Sequence, residues 1–427
     1  MIIDTATLRV KDIRDLKIKM LNWANRFNIF CFLDNNGYSF EYPGFECMLA
    51  VGEVRSFRFT KEKTFPELQQ FFDASPSWLF GHLGYNAAGN AYSATNKTEE
   101  GFGPGFFFEP QIILRLSGEE LEILKTDIGS EILIADLINS PAELQKNTAV
   151  KNIKPTASRE EYIESIAKLK HHIQRGDCYE INFCQKFIAV DAVINPVRAY
   201  IDLATLSPAP FAALYKLNIH YCVCASPERF LQKTGQKLIS QPIKGTAVRD
   251  HSSAETDKLN KEYLLSSAKE KSENVMVADL VRNDLSMVCE KDSVKVKELC
   301  GIYSFPQVYQ MITTIEGTLS KGKSFTEAIE ACYPMGSMTG APKQKVMELI
   351  ESYETGNRGL FSGSIGYITP TGNFDFNVVI RSLFRNSLEN SLSFFAGSGI
   401  TFYSNAADEY DECMAKASAI FKILSGK

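Results

Sequence analysis

Two features of this 427-residue sequence predict an α+β fold built on antiparallel sheet. Its first third breaks into short apolar runs divided by Gly, Pro and Asn, the pattern of strands joined by tight turns. Beyond that point strand-like and helix-like stretches follow one another without strict βα alternation, which disfavours a doubly wound nucleotide fold.

Runs at 30–33, 57–60, 78–80 and 111–115 are aromatic or aliphatic and flanked by turn residues, so residues 1–150 are expected to form a strand-rich N-terminal region packing on the core. A polar stretch over 145–159 leads into a helix marked by Tyr162, Ile166, Leu169 and Ile173, which share one face and stop near Gly176. Residues 151–427 are expected to form a second region. Its further elements read as strands at 182–190 and 221–225, a turn at PIKGT (242–246), and one long helix over about 255–285. A strand at 307–316, a helix at 326–332, three more strands and a helix at 406–424 complete the order.

At 44% hydrophobic and 23% charged residues, the composition is that of an ordinary globular chain. The net charge is only −5 and Lys and Arg are dispersed, which argues against a nucleic-acid partner. The first twenty residues alternate charge with apolar side chains and lack the continuous apolar run of a secretory signal or membrane span, so a cytoplasmic location is expected. Ten cysteines without a Cys-X-X-Cys pair, and five histidines, suggest reduced buried thiols in place of a zinc or disulfide framework.

Several motifs carry chemistry. GTLSKGKS (317–324) satisfies the P-loop pattern and would make the chain an NTPase. The apolar runs downstream, however, never end in the acidic residue that would hold Mg²⁺, and the run 377–380 leads into Arg381. Ser324 with Glu327 reads equally well as a capping box. Two carboxylate pairs, Glu270 with Glu273 and Glu409 with Glu412, are spaced by three on expected helices, so each pair shares a face. Such pairs are ordinarily solvated surface, and Glu412 with Lys416 has the spacing of a routine ion pair. Lys244 lies in PIKGT, where Pro and Lys-Gly would otherwise be plain turn chemistry.

Read together, PIKGT, ENVMVADLVRND (273–284), MGSMTGAPK (335–343), GSIGY (363–367), VVIRS (378–382) and AGSGI (396–400), followed by DEYDE (408–412), resemble in order the chorismate-binding enzymes. The resemblance is dense from 158 to 422 and thin before that, where WLFGHLGYN (78–86) is the best match. It implies a sandwich of two large, mostly antiparallel β-sheets with helices packed outside. It also implies a Mg²⁺-dependent amination of chorismate at C4, giving 4-amino-4-deoxychorismate for 4-aminobenzoate and folate synthesis, with ammonia from a separate glutamine amidotransferase subunit. Carried onto this sequence, the family pattern makes Lys244 the nucleophile and Glu228, in SPERF, the general acid. Glu273 and Glu412 become the principal Mg²⁺ ligands, with Glu270 and Glu409 acting directly or through water. Arg381 and Lys416 would hold substrate carboxylates, Gly397 and Gly399 would open their backbone N–H groups to the same anion, and Thr246 and Ser337 would line the substrate site.

For the amine to attack at pH 7, its pKa would have to fall from ~10.4 to near 7, an effect expected from burial and from neighbouring Mg²⁺, Arg381 and Lys416. Relatives that aminate C2, the anthranilate synthases, usually carry Ala at the lysine position and are the alternative reading. Glu180, in GDCYE, stands where isochorismate-forming relatives place a water-activating lysine, and so argues against that activity. Gln310 aligns with a family histidine associated with pyruvate elimination, and Phe361 with a position where Tyr or Trp is common.

Overall fold

The computed structural model describes residues 7–38, 45–62, 64–87 and 101–426. Among these residues the chain forms one twelve-stranded and one ten-stranded sheet, both antiparallel throughout their pairings. The larger sheet runs from the edge strand Thr7–Arg9 through Cys47–Val51, Ile29–Asp34, Phe211–Leu217 and His220–Ser226 to Ser391–Thr401 and Glu180–Ala189. In the smaller, Ile243–Val248 lies at one edge beside Val308–Thr318, and the order continues through Lys237–Gln241, Arg229–Thr234, Phe374–Asn377, Ser364–Ile368 and Leu79–Leu83.

Alternation along the strands explains the layering. In Ile29–Asp34 every residue is buried. Phe30 and Phe32 meet the helices Ile13–Ala24 and Pro196–Leu206, whereas Cys31 and Leu33 turn the other way, toward Phe80, Phe106 and Phe108 of the smaller sheet. A strand buried on both faces reads as a continuous apolar run, so its sequence shows no two-residue period. The outer face of the smaller sheet is covered in turn by Phe65–Ala74, Ala268–Ser286 and Phe325–Cys332, through Phe72, Ala278, Leu285 and Ile329. The result is the expected sandwich of two sheets with helices outside. A buried Arg229–Asp375 ion pair at 2.9 Å joins adjacent strands of the smaller sheet.

The N-terminal region does not form a layer of its own. Ile29–Asp34 pairs with Phe211–Leu217, and Leu79–Leu83 pairs with Ser364–Ile368, so both sheets combine strands from before and after residue 150. Among its described residues the region also holds the helices Ile13–Ala24, Phe65–Ala74 and Ser130–Ile138, beside the strands that the sequence led one to expect. The long helix expected at 255–285 is two helices, Ala254–Ser266 and Ala268–Ser286. Ser267 divides them because its extended backbone and its hydroxyl, which accepts the Glu270 N–H, make it an N-cap. Within the described residues no helix is long and apolar enough to cross a membrane.

Candidate active site

Lys244 is delivered to its position by an irregularity. It lies on the edge strand Ile243–Val248, whose register against Val308–Thr318 slips between Ile243 and Thr246. A slip of this kind re-aims the side chains within it. The stretch expected as a turn is thus strand; Gly245 follows with φ +94°, and a Cβ there would stand 3.0 Å from the Glu270 carboxylate, so the position requires glycine. The Lys244 carbonyl accepts a hydrogen bond from Asn274, which ties the strand to the helix carrying Glu270 and Glu273.

The amine of Lys244 donates to Glu180 Oε1 at 2.6 Å, with the lysine side chain 12% and the glutamate 2% exposed. This bond crosses the sandwich, because Glu180 starts the strand Glu180–Ala189 of the larger sheet. Burial alone would lower the lysine pKa, but Glu180, Glu273 and Glu412 outweigh it and raise the value above its ordinary range. The lysine faces three carboxylates, and Lys416 is engaged by Glu412 at 2.8 Å, so the side chains around the amine favour the ammonium.

Glu228 is 4% exposed, and burial pushes its pKa up to about 7 against the opposing influence of Ser337, Lys244 and Arg381. The Ser337 hydroxyl donates to Glu228 Oε1 at 2.6 Å, so Ser337 is engaged by the acid instead of facing open space. Arg381 adopts a left-handed backbone at φ +51°, where the chain turns into the strand Ser382–Asn386. Its guanidinium makes no hydrogen bond to a described residue, and burial lowers its pKa, the signature of a cation poorly compensated by its surroundings. Thr246 is exposed, two residues beyond the lysine.

The four acids converge from the helices Ala268–Ser286 and Ala406–Leu424. Glu273 and Glu409 are buried, at 7% and 2% exposure. Burial raises Glu273 to about 7 and raises Glu270 as well, whereas at Glu412 partial burial is outweighed by the Lys416 ammonium and the pKa falls. Lys269, which the sequence reading passed over, reaches Glu409 at 3.3 Å and Glu273 at 3.9 Å. Its spacing of four from Glu273 was the available signal. Glu273 Oε1 and Glu409 Oε2 are buried without a hydrogen-bond donor. An all-oxygen donor set with two orphaned carboxylate oxygens fits a hard divalent cation. Among the described residues no three metal-binding side chains share one point, and Lys269 and Lys416 pair with acids of this group.

The two glycines of AGSGI differ. A Cβ on Gly397 would collide with the Phe183 carbonyl of the paired strand, so glycine there serves sheet packing, and its own carbonyl accepts from Lys416 at 3.2 Å. A Cβ on Gly399 would lie 2.7 Å from Lys244 Nζ and 3.0 Å from Glu180 Oε1. Gln310 is buried opposite Thr246 with neither its amide nitrogen nor its oxygen bonded, and Phe361 stacks on Phe395 at 4.7 Å.

GTLSKGKS has no cradle to offer. Gly317 lies within the strand Val308–Thr318, Ser324 and Glu327 close the capping box, and Lys323 pairs with Glu327 at 2.8 Å.

A family model for chorismate binding enzymes matches residues 30–422. The chain belongs to that family. It is 38% identical over 268 residues to aminodeoxychorismate synthase, chloroplastic, of Arabidopsis thaliana, covering 62% of this chain and 29% of that protein. It is 35% identical over 267 residues to aminodeoxychorismate synthase component 1 of Escherichia coli K12, covering 62% and 58%. An anthranilate synthase component I-like protein of Synechocystis is 32% identical over 360 residues, covering 82% and 73%. The matches thus span under a third of the plant protein and just over half of the bacterial one. Among solved structures, the menaquinone-specific isochorismate synthase of Escherichia coli superposes with a TM-score of 0.79 at 15% identity, over 99% of this chain and 94% of that one. Anthranilate synthase component I of Streptococcus pneumoniae gives 0.72 at 22%, over 98% and 92%. At these identities the likeness is one of fold.

Proposed function

We propose that this chain aminates chorismate at C4, forming 4-amino-4-deoxychorismate from ammonia. The observation that carries the reading is the electrostatic unit around Lys244. Lys244 from one sheet is coupled to Glu228, whose pKa of about 7 leaves it substantially protonated near neutrality, and to the acids of two helices. An amine nucleophile and a proton donor for a poor leaving group are what displacement of a ring hydroxyl requires.

In this reading the substrate carboxylates meet Arg381 and a cation held by Glu273 and Glu412, with Glu270 and Glu409 beside them. Mg²⁺ bound there would draw charge from the ring through a carboxylate. The attacking form of Lys244 is the neutral amine, so the ammonium must lose its proton first. Its nitrogen lone pair forms a bond to C2, the ring double bonds shift, and the C4–O bond breaks. The hydroxyl takes the Glu228 proton and leaves as water. Ammonia then bonds to C4 as the C2–nitrogen bond breaks and returns Lys244.

The ammonia is proposed to come from a separate glutamine amidotransferase subunit. Burial raises the pKa of all ten cysteines, Cys178 and Cys184 included, which favours a glutaminase nucleophile outside this chain. Two relatives are also named component 1, which supports a partner.

The test is product identity. Purified chain with chorismate, Mg²⁺ and ammonium should form 4-amino-4-deoxychorismate with its enolpyruvyl group retained, and should not use glutamine alone. Fluorescent anthranilate with free pyruvate would instead establish the alternative C2 amination.

A further inference from the structure

Glu180 holds the reacting nitrogen, and four observations separate it from an incidental ion pair. Lys244 lies in a slipped stretch of an edge strand, so regular pairing does not fix its side chain, and the hydrogen bond to Glu180 Oε1 is the contact that ends it. Glu180 is anchored on both sides, opposite Thr401 on one neighbouring strand and Ala341 on the other. Gly399 leaves the space the pair occupies, because a Cβ would press on both polar atoms. Finally, Glu180 Oε2 is buried with no donor. A pair kept only for stability gains little from burial and would be expected to satisfy both oxygens.

We propose that Glu180 is the positioning residue for the nucleophile: reaching over from the opposite sheet, it fixes the point from which the Lys244 amine meets the ring. The inference rests on Lys244 being the nucleophile. Position is the quantity at stake, since a misplacement of about 1 Å in a reacting group can cost on the order of 100-fold in rate.

Two substitutions separate position from charge. Glu180→Gln keeps an acceptor oxygen at full reach and removes the charge, whereas Glu180→Asp keeps the charge and draws the oxygens back by one carbon–carbon bond, about 1.5 Å. Ammonium-dependent turnover of chorismate should fall about 100-fold in kcat for Glu180→Asp and no more than about tenfold for Glu180→Gln. KM for chorismate should move little in either, and thermal unfolding should show both folded. Wild-type kcat in Glu180→Asp, or Glu180→Asp outperforming Glu180→Gln, would overturn the positioning role. A loss confined to KM would overturn it too, by making Glu180 a substrate contact. Lys244→Ala run in parallel tests the reading beneath: if that variant still turns over chorismate, both assignments fall, whereas its inactivity beside an indifferent Glu180→Asp removes the inference alone.

Discussion

Replacing Glu228 by Gln should make the protein more resistant to alkaline unfolding while disabling it as a catalyst. The folded chain holds this carboxyl at about 7, against an ordinary value of 4.5, because burial disfavours its charge. The folded state therefore binds the proton more tightly than the unfolded one, and stability is lost as pH rises from about 4.5 to about 7. The gap between those values corresponds to roughly 3 kcal/mol. The amide of the Glu228→Gln variant would keep an oxygen for the Ser337 hydroxyl without a charge to bury. At roughly 2.1 cal/mol/K of unfolding entropy per residue, a chain of this length converts 3 kcal/mol into a Tm difference of roughly 3 °C. Thermal unfolding of both proteins, run without substrate from pH 4.5 to 8.5, should give curves that nearly coincide at the acid end and separate through neutrality, with the variant higher. Parallel curves would refute the reasoning, because they would mean that Glu228 ionises as freely folded as unfolded.

Other outcomes follow from the same geometry. Lys244→Ala should abolish any chorismate-sized mass adduct on the protein, read by intact mass spectrometry after acid quench. Glu273→Gln should weaken Mg²⁺ binding at least tenfold by calorimetry, because it replaces a charged carboxylate whose buried Oε1 accepts no hydrogen bond. Arg229→Met should destabilise the fold by about 3–5 kcal/mol in denaturant titration, leaving Asp375 buried and unpaired, and adding Asp375→Leu should recover much of the loss. Lys323→Ala should leave chorismate turnover unchanged, since its ammonium only extends a helix cap, and neither protein should hydrolyse ATP.

What the sequence revealed depended on range. Local signals carried far: Tyr162, Ile166, Leu169 and Ile173 line the buried face of Arg159–Gln174, and Ser324 with Glu327 caps a helix. Similar signals were present but overlooked at Thr64, which precedes Pro66 and Glu67 in a second capping box, and at Asp12, which accepts the Asp15 N–H. Aromatic density around them suggested strands because both element types bury aromatic side chains. Glu180 could be placed in a motif by sequence, but its bond to Lys244 spans 64 residues and joins two sheets, and no periodicity encodes that. The carboxylates that face Lys244 likewise come from three separate elements, so nothing in its sequence neighbourhood reveals them.

The shared sheets constrain how this chain can fold. Leu79–Leu83 must wait for Ser364–Ile368, and Ile29–Asp34 for Phe211–Leu217, before the interior strands of either sheet are complete. Such long loops make assembly slow and leave hydrogen-bonding edges open in the meantime. The strands described before residue 150 therefore complete neither sheet by themselves. The same topology makes the bond between Glu180 and Lys244 late-forming, because it requires the two sheets to have met.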